Sequence, residues 1–217
     1  MKLPHKILER KLFASGYSLI YAVDEVGMGC LAGPVVVCAV GLTNHFYSKI
    51  HKKFFKLRES KLLLPRQREK FAEALMGEKD LIYALAYAQP KTIDKFNIYC
   101  SSRQAMRRAV LALRLAQGDQ NYLKQIVLVD GKTKIKGLNL EQMPIVKGDR
   151  KVFAIACASI IAKVHRDKMM RRYAIKYPGY GFEKHKGYGT ARHKARLILM
   201  GPCEIHRKSF APVAELL

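Results

Sequence analysis

An α/β fold, with a mixed β-sheet flanked by helices, is what the sequence predicts. Three observations carry this expectation. Runs rich in β-branched residues come early, and the first two are joined by a connection so short that they must pair antiparallel. A helix–strand–helix succession follows, and that alternation packs helices onto a sheet. The length of 217 residues suffices for one large core, hence one domain over 1–217.

Residues 18–26 (SLIYAVDEV) and 34–42 (PVVVCAVGL) read as the first two strands, joined by the turn MGCLAG. The basic, aromatic segment HFYSKIHKKFFKLRESKLLLP follows. A helix from Arg66 to Met76 opens just after Pro65, whose fixed φ suits a first helical turn. LIYALAYAQ, 81–89, alternates as a third strand. An amphipathic helix runs from about Ile98 to Ala116 and ends near Gly118.

QIVLVDG, 125–131, is a short buried strand that stops at Asp130, and PIV at 144–146 is a further strand leading into KGDRK. Apolar and small residues at helical spacing over 152–176 predict a long helix that must stop before Pro178. YPGYGFEKHKGYGT reads as a glycine- and tyrosine-rich loop. A last helix spans roughly Ala191 to Met200, stopped by Gly201 and Pro202. Residues 18–169 would form the α/β core, with a helical carboxyl-terminal extension from about residue 170.

The formal charge of +23, from 40 Lys and Arg against 17 Asp and Glu, points to an anionic partner. Nucleic acid ranks ahead of a membrane surface, and a merely soluble basic protein is the bland alternative. Five cysteines without CxxC spacing indicate neither a disulfide framework nor a zinc site, and they read as small core residues. MKLPHKILERK lacks the apolar stretch of a secretory signal, and no later run reaches the ~20 residues of a membrane span. The expected compartment is reducing and cytoplasmic.

Within this basic chain, acids sit at telling positions. Asp24 and Glu25 end the first strand, Asp130 ends a later one, and Asp149 precedes a long helix. Strand ends in open α/β sheets are where functional groups gather. Converging carboxylates repel one another, and hard divalent cations such as Mg²⁺ relieve that repulsion. A pair of such ions ~4 Å apart can activate water against a phosphodiester. A surface charge is the competing reading for each acid, and an N-cap for Asp149. Adjacent residues of a regular strand point to opposite faces, so Asp24 and Glu25 share a site only if the strand bends or ends between them. The Gly27–Gly29 turn makes that feasible.

Six stretches resemble ribonuclease HII, the type 2 ribonuclease H of bacteria, in the family's order. They are DEVGMGCLAGPVV, LVDGK at 128–132, KGDRK at 147–151, ASIIAKVHRD at 158–167, YPGYGFEKHKGYGT at 177–190 and IHRKSFAPV at 205–213. The resemblance covers about Leu19 to Val213. It implies a ribonuclease H-like fold and a nuclease that cuts RNA in RNA–DNA hybrids and single ribonucleotides embedded in duplex DNA. The family uses Mn²⁺ or Mg²⁺ and leaves a 5′-phosphate and a 3′-hydroxyl, in ribonucleotide and primer removal. A monomer without membrane partners is expected.

Residue by residue, the resemblance makes Asp24, Glu25, Asp130 and Asp149 the catalytic, metal-binding acids. Gly27, Met28 and Gly29 match the turn whose backbone approaches the ribose 2′-hydroxyl, the group that separates RNA from DNA. Tyr188 matches a tyrosine that stacks on the following deoxyribose. Ser60, Lys61 and Lys186 would be substrate contacts, with Lys61 toward phosphate. Two residues depart from the family pattern: Met28 replaces an Arg between the glycines, and Glu59 an Asp before Ser60–Lys61. Asp167 reads as structural, paired locally with Lys163 and Arg166. His185 and Lys186, with Tyr180 and Tyr188, would line a nucleic-acid groove, and RHKAR (192–196) and IHRKSF (205–210) would add positive charge for the DNA strand. Another ribonuclease H-like nuclease, such as a junction resolvase, and a non-catalytic hybrid-binding protein are the rival readings.

Overall fold

Hydrophobic runs that alternate or stay continuous become the sheet, and the long helical patterns cover both its faces. The computed structural model describes residues 4–49, 54, 57, 59–117 and 124–217. In chain order the elements are α1 (Ile7–Ala14), β1 (Leu19–Val26), β2 (Val35–Thr43), α2 (Asn44–Lys49), α3 (Pro65–Met76) and β3 (Leu81–Ala88). Next come α4 (Pro90–Phe96), α5 (Ile98–Ala116), β4 (Gln125–Asp130), β5 (Glu141–Ile145), α6 (Gly148–Lys151) and α7 (Phe153–Lys176). The chain finishes with α8 (Phe182–His185), α9 (Ala191–Met200) and α10 (Ala211–Ala214).

The strand order is β3-β2-β1-β4-β5. β1 and β3 flank β2 antiparallel, whereas β4 joins β1, and β5 joins β4, in parallel. The sheet is thus mixed: the short β1–β2 connection gives an antiparallel pair, α4 and α5 carry the chain across to β4, and a helix-free connection over 131–140 leads to the parallel β5. Pro144, which has no N–H to give, sits in β5 at the sheet's edge.

Each face of the sheet buries its own core. Ile20, Ala22, Val36, Cys38, Ile126 and Leu128 pack against α7, whose residues from Phe153 to Ala162 are all buried. Tyr21, Val23, Val37, Ala39, Val127 and Val129 pack against Ala105, Met106, Ala109 and Val110 of α5. The N-cap of α5 is Asn97, whose side chain accepts the Cys100 N–H. The N-cap of α7, Val152, has no side-chain acceptor to offer; Glu9 of α1 instead accepts the Ala154 N–H at 3.0 Å from across the chain.

The predicted strands and the four predicted helices occur within a residue or two of their expected spans, except that β5 begins at Glu141, earlier than PIV. The helices α1, α2, α4, α6, α8 and α10 are not expected from the sequence; all span eight residues or fewer, too short for a periodic signal. α8 lies inside the stretch read as a loop. α7 runs unbroken across residue 170, where the extension was expected to begin. The expected stop at Gly118 and residues 50–53, 55, 56 and 58 of the basic aromatic segment lie outside the described residues. Cys30, Cys38 and Cys157 are core residues, whereas Cys100 is exposed. Among the described residues, no helix is long and apolar enough to cross a membrane.

Candidate active site

A cleft opens where β1 and β4 part. Their pairing runs from Leu19↔Gln125 to Val23↔Val129 and stops, while β1 stays paired with β2 as far as Val26↔Val36. Beyond Val23 one edge of β1 is therefore free. Asp24 continues the α7 face of the strand and Glu25 the α5 face. The strand was expected to bend or end between them. Instead β1 continues and its neighbour leaves, so both side chains reach one gap from opposite faces. Asp24 is only 4% exposed, and its Oδ1 accepts the Glu25 N–H at 2.8 Å.

Asp130, the last residue of β4, turns its Oδ1 to the Gly148 N–H at 2.6 Å. This fixes the β5–α6 connection and brings Asp149, in the first turn of α6, to the same place. A Cβ at Gly148 would fall 2.5 Å from Ile155 Cδ1 and 3.1 Å from Asp130 Oδ1, so a larger residue would have to displace one or the other. Asp149 caps no helix: the N-caps of α6 and α7 are Lys147 and Val152. All four acids line one cavity of about 730 Å³, together with Gly27, Met28, Gly29, Ser60, Lys61 and Tyr188.

Crowding shows in the acids' proton affinities. Burial, then the neighbouring Glu25 and Asp130 charges, push Asp24 well above the usual carboxylate range. Burial and Asp130 lift Glu25 to about 7, against the opposing charge of Arg103. Asp149 is raised as well, by burial first and then by Asp130 and Glu59. Glu25 Oε2 is buried with no hydrogen-bond partner. Among the described residues no three acids, histidines or cysteines already close on one metal position. The donors are nonetheless all hard oxygens, one of them orphaned, and their mutual repulsion is of the kind that a divalent cation removes.

The pH dependence follows from these directions. Raised carboxylates mean that the metal-free native state holds protons which the unfolded chain has released. The stability they contribute is complete below the unfolded pKa and is lost as pH rises through the folded values, near 7 for Glu25. A cation must displace those protons, so it binds more tightly as pH rises. Mg²⁺ or Mn²⁺ should therefore raise the melting temperature more at about pH 8 than at about pH 6; thermal melts with and without metal measure this, and an equal shift at both would contradict it.

The other sequence-predicted residues divide. Ser60 is buried, its hydroxyl 3.1 Å from that of Ser159, and Lys61 is exposed at the rim. Tyr188 is 37% exposed, with the Lys163 Nζ 5.8 Å and the Arg166 guanidinium 6.0 Å from its ring centre. Lys186 does not line the cavity; its ammonium turns to the Glu183 carbonyl. His185 does not line the cavity either; its half-buried ring stacks on His193 at 4.3 Å and bonds the Tyr180 carbonyl. In RHKAR and IHRKSF, His193, His206 and Arg207 are buried; burial holds both histidines down at about 4, so neither adds positive charge. Met28 packs its side chain against the α5 core. Glu59 is buried and takes Arg150 through both oxygens, at 2.8 and 3.2 Å.

Sequence reasoning missed Arg68, Ser159 and Lys163 as cavity residues. Asp167 pairs with Lys163 at 2.7 Å as expected, but its second partner is Arg68 of α3 at 3.4 Å and not Arg166. Arg68 also holds the Ser60 carbonyl at 2.6 Å and that of Leu63 at 2.8 Å. A signal did exist for α7. Ser159, Lys163 and Asp167 recur every four residues, a polar stripe that begins in the buried half of the helix. Nothing local marks Arg68.

Comparison with known proteins adds to this geometry. A family profile described as Ribonuclease HII matches residues 22–213. The Ribonuclease HII of Caldicellulosiruptor saccharolyticus is 45% identical over 94% of this chain and 92% of its own. Among solved structures, ribonuclease H2 from Pyrococcus horikoshii matches with a TM-score of 0.66 at 25% identity, over 91% of this chain and 96% of that one. Bst-RNase HIII in complex with Mn²⁺ matches in fold, with a TM-score of 0.69 at 18% identity, over 93% of this chain and 70% of that one.

Proposed function

The chain belongs to the ribonuclease HII family, and from that premise we propose that its four-acid cleft hydrolyses phosphodiesters at ribonucleotides with the help of bound divalent cations. The chain is a ribonuclease H, a nuclease acting on nucleic acid. Its substrates are the RNA strand of RNA–DNA hybrids and single ribonucleotides in duplex DNA, cut on the 5′ side to leave a 5′-phosphate and a 3′-hydroxyl. The observation that carries this reading is the meeting of Asp24, Glu25, Asp130 and Asp149 in one cavity of an otherwise strongly basic chain.

Asp24 and Asp130 would hold the cations, with Glu25 and Asp149 completing the oxygen set. Such ions, once bound, supply an activated water and charge stabilisation at the leaving oxygen. The chain's own residues do the rest. The Gly27–Gly29 turn presents its backbone to the ribose, and Tyr188 offers a ring face to the adjoining sugar. Lys61 lies beside Asp149, whose acidity its charge favours, and is placed for a phosphate. Met28 leaves recognition at the turn to backbone groups, since its thioether is turned into the core and carries no charge.

Two measurements test the reading. With Mg²⁺ or Mn²⁺ the protein should cut a DNA duplex carrying one ribonucleotide and leave the all-DNA duplex intact. Cutting both, as a junction resolvase or general nuclease would, or binding without turnover, defeats it. Duplex affinity should fall by at least about tenfold between roughly 50 and 200 mM salt, because phosphate contacts release counterions. A flat salt response would mean that the +23 charge is not the duplex-binding element.

A further inference from the structure

Two arginines on which the proposed mechanism makes no demand lie directly beneath the glycine turn. Arg166 of α7 and Arg207, after α9, are both 0% exposed. Among the described residues neither pairs with a carboxylate; each is satisfied by backbone carbonyls instead. Arg207 donates through Nη2 to Gly27 O at 2.6 Å, through Nη1 to Met28 O at 2.8 Å, and to Gly33 O at 3.0 and 3.1 Å. Arg166 donates to Pro34 O at 2.9 Å, Ala32 O at 3.0 Å and Lys186 O at 2.8 Å.

A buried guanidinium is costly unless its donors are met, so each cation enforces the direction of the carbonyls around it. The carbonyls of Gly27 and Met28 are thereby held inward. The amides of Met28 and Gly29 donate to no protein acceptor among the described residues, and both residues line the cleft. Successive free amides of this kind form a concave donor surface for a substrate oxygen.

The same pair joins two loops. The Arg166 guanidinium crosses from residues 32 and 34 to Lys186, two residues before Tyr188. Cys30 forms a backbone bridge with Tyr188, and the Leu31 N–H donates to Gly187 O at 2.8 Å. A side chain at Gly27 would strike Arg166 Nε at 2.3 Å, and one at Gly187 the Ala32 carbonyl at 2.4 Å. Burial pushes Arg207 down to about 10, assisted by the like charge of Arg166, which leaves it protonated at neutral pH.

We propose that Arg166 and Arg207 are positioning residues for ribonucleotide recognition. By occupying the carbonyl side of the turn they present its amide edge to the substrate sugar, and through Arg166 they lock that turn to the Tyr188 loop. The inference rests on the function proposed above and assigns discrimination, as distinct from metal chemistry, to this pair.

The test is binding in an Asp24→Asn background, where cleavage is removed. Affinity is measured for a single-ribonucleotide duplex and for its all-DNA twin. The parent should prefer the ribonucleotide; no preference there would overturn the functional reading itself. Adding Arg207→Lys or Arg166→Lys keeps the charge but loses the fork of donors. The preference should then fall to within about twofold of unity, while all-DNA affinity changes by less than about threefold, because the phosphate contacts remain. Leu75→Ala, a core change between α3 and α7, controls for lost stability and should keep the preference. Folded Arg→Lys proteins that keep the preference, or a Leu75→Ala protein that loses it equally, overturn the inference. Should the Lys variants not fold, Gly187→Ala serves instead. It pushes on Ala32, the Arg166 acceptor, without touching Met28 or Gly29, and retention of preference there overturns the coupling.

Discussion

Asp24→Asn should lower cleavage of a single-ribonucleotide duplex by at least about a thousandfold, roughly 4 kcal/mol of transition-state stabilisation, while duplex binding stays intact or tightens. Asp24 is the most enclosed of the four acids, and it feels both Glu25 and Asp130. The amide keeps the shape and can still accept the Glu25 N–H, so the turn that follows should hold. What goes is the anionic oxygen pair that would draw a cation into the cleft. Removing one charge from a repelling cluster also relieves the metal-free protein, whose melting temperature should rise. Metal should then stabilise the variant much less than the wild type. Single-turnover cleavage, duplex binding and thermal melts with and without Mn²⁺ check the three parts. Cleavage at the wild-type rate would remove Asp24 from the chemistry.

Gly27→Ala should destabilise the protein by about 2–4 kcal/mol and reduce cleavage by about a hundredfold, the size of effect that a 1 Å misplacement causes. Gly27 has φ of +102°, a conformation that a Cβ penalises. Space is lacking as well, since the new carbon would fall 2.3 Å from Arg166 Nε, on a guanidinium held by three carbonyls. Either the turn rotates, moving the Met28 and Gly29 amides, or Arg166 shifts and frees the Lys186 carbonyl. Both routes disturb substrate reading. Gly29→Ala is the informative companion: nothing lies within 4 Å of its Cβ position, so stability should change little. Chemical denaturation with cleavage assays on both variants separates the two, and equal losses would argue against the steric account.

The order of elements was legible because each strand and long helix carries its own period. β1, β2 and β4 are continuous apolar runs and α5 a clear amphipathic pattern, so local physics sufficed for their type and approximate span. The acids were legible too, since carboxylates ending apolar runs have few other reasons to be there. How Asp24 and Glu25 share a site was not. The answer lies in the early departure of β4, and a strand carries no mark of where its neighbour leaves.

The basic residues show the limit most sharply. In a chain with 40 Lys and Arg, composition treats every cation as a candidate for the nucleic-acid surface. Arg68 is instead buried beside the Asp167 carboxylate, and Arg166 and Arg207 are buried against carbonyls from distant segments; the Arg207–Gly27 bond spans 180 residues. The sequence by itself determined which strands form, which long helices cover them and which acids gather in the cleft, because those depend on short-range periodicity and residue type. Tertiary structure alone decided which cations face solvent and which hold the turn, because burying a charge depends on acceptors that only the folded chain brings together.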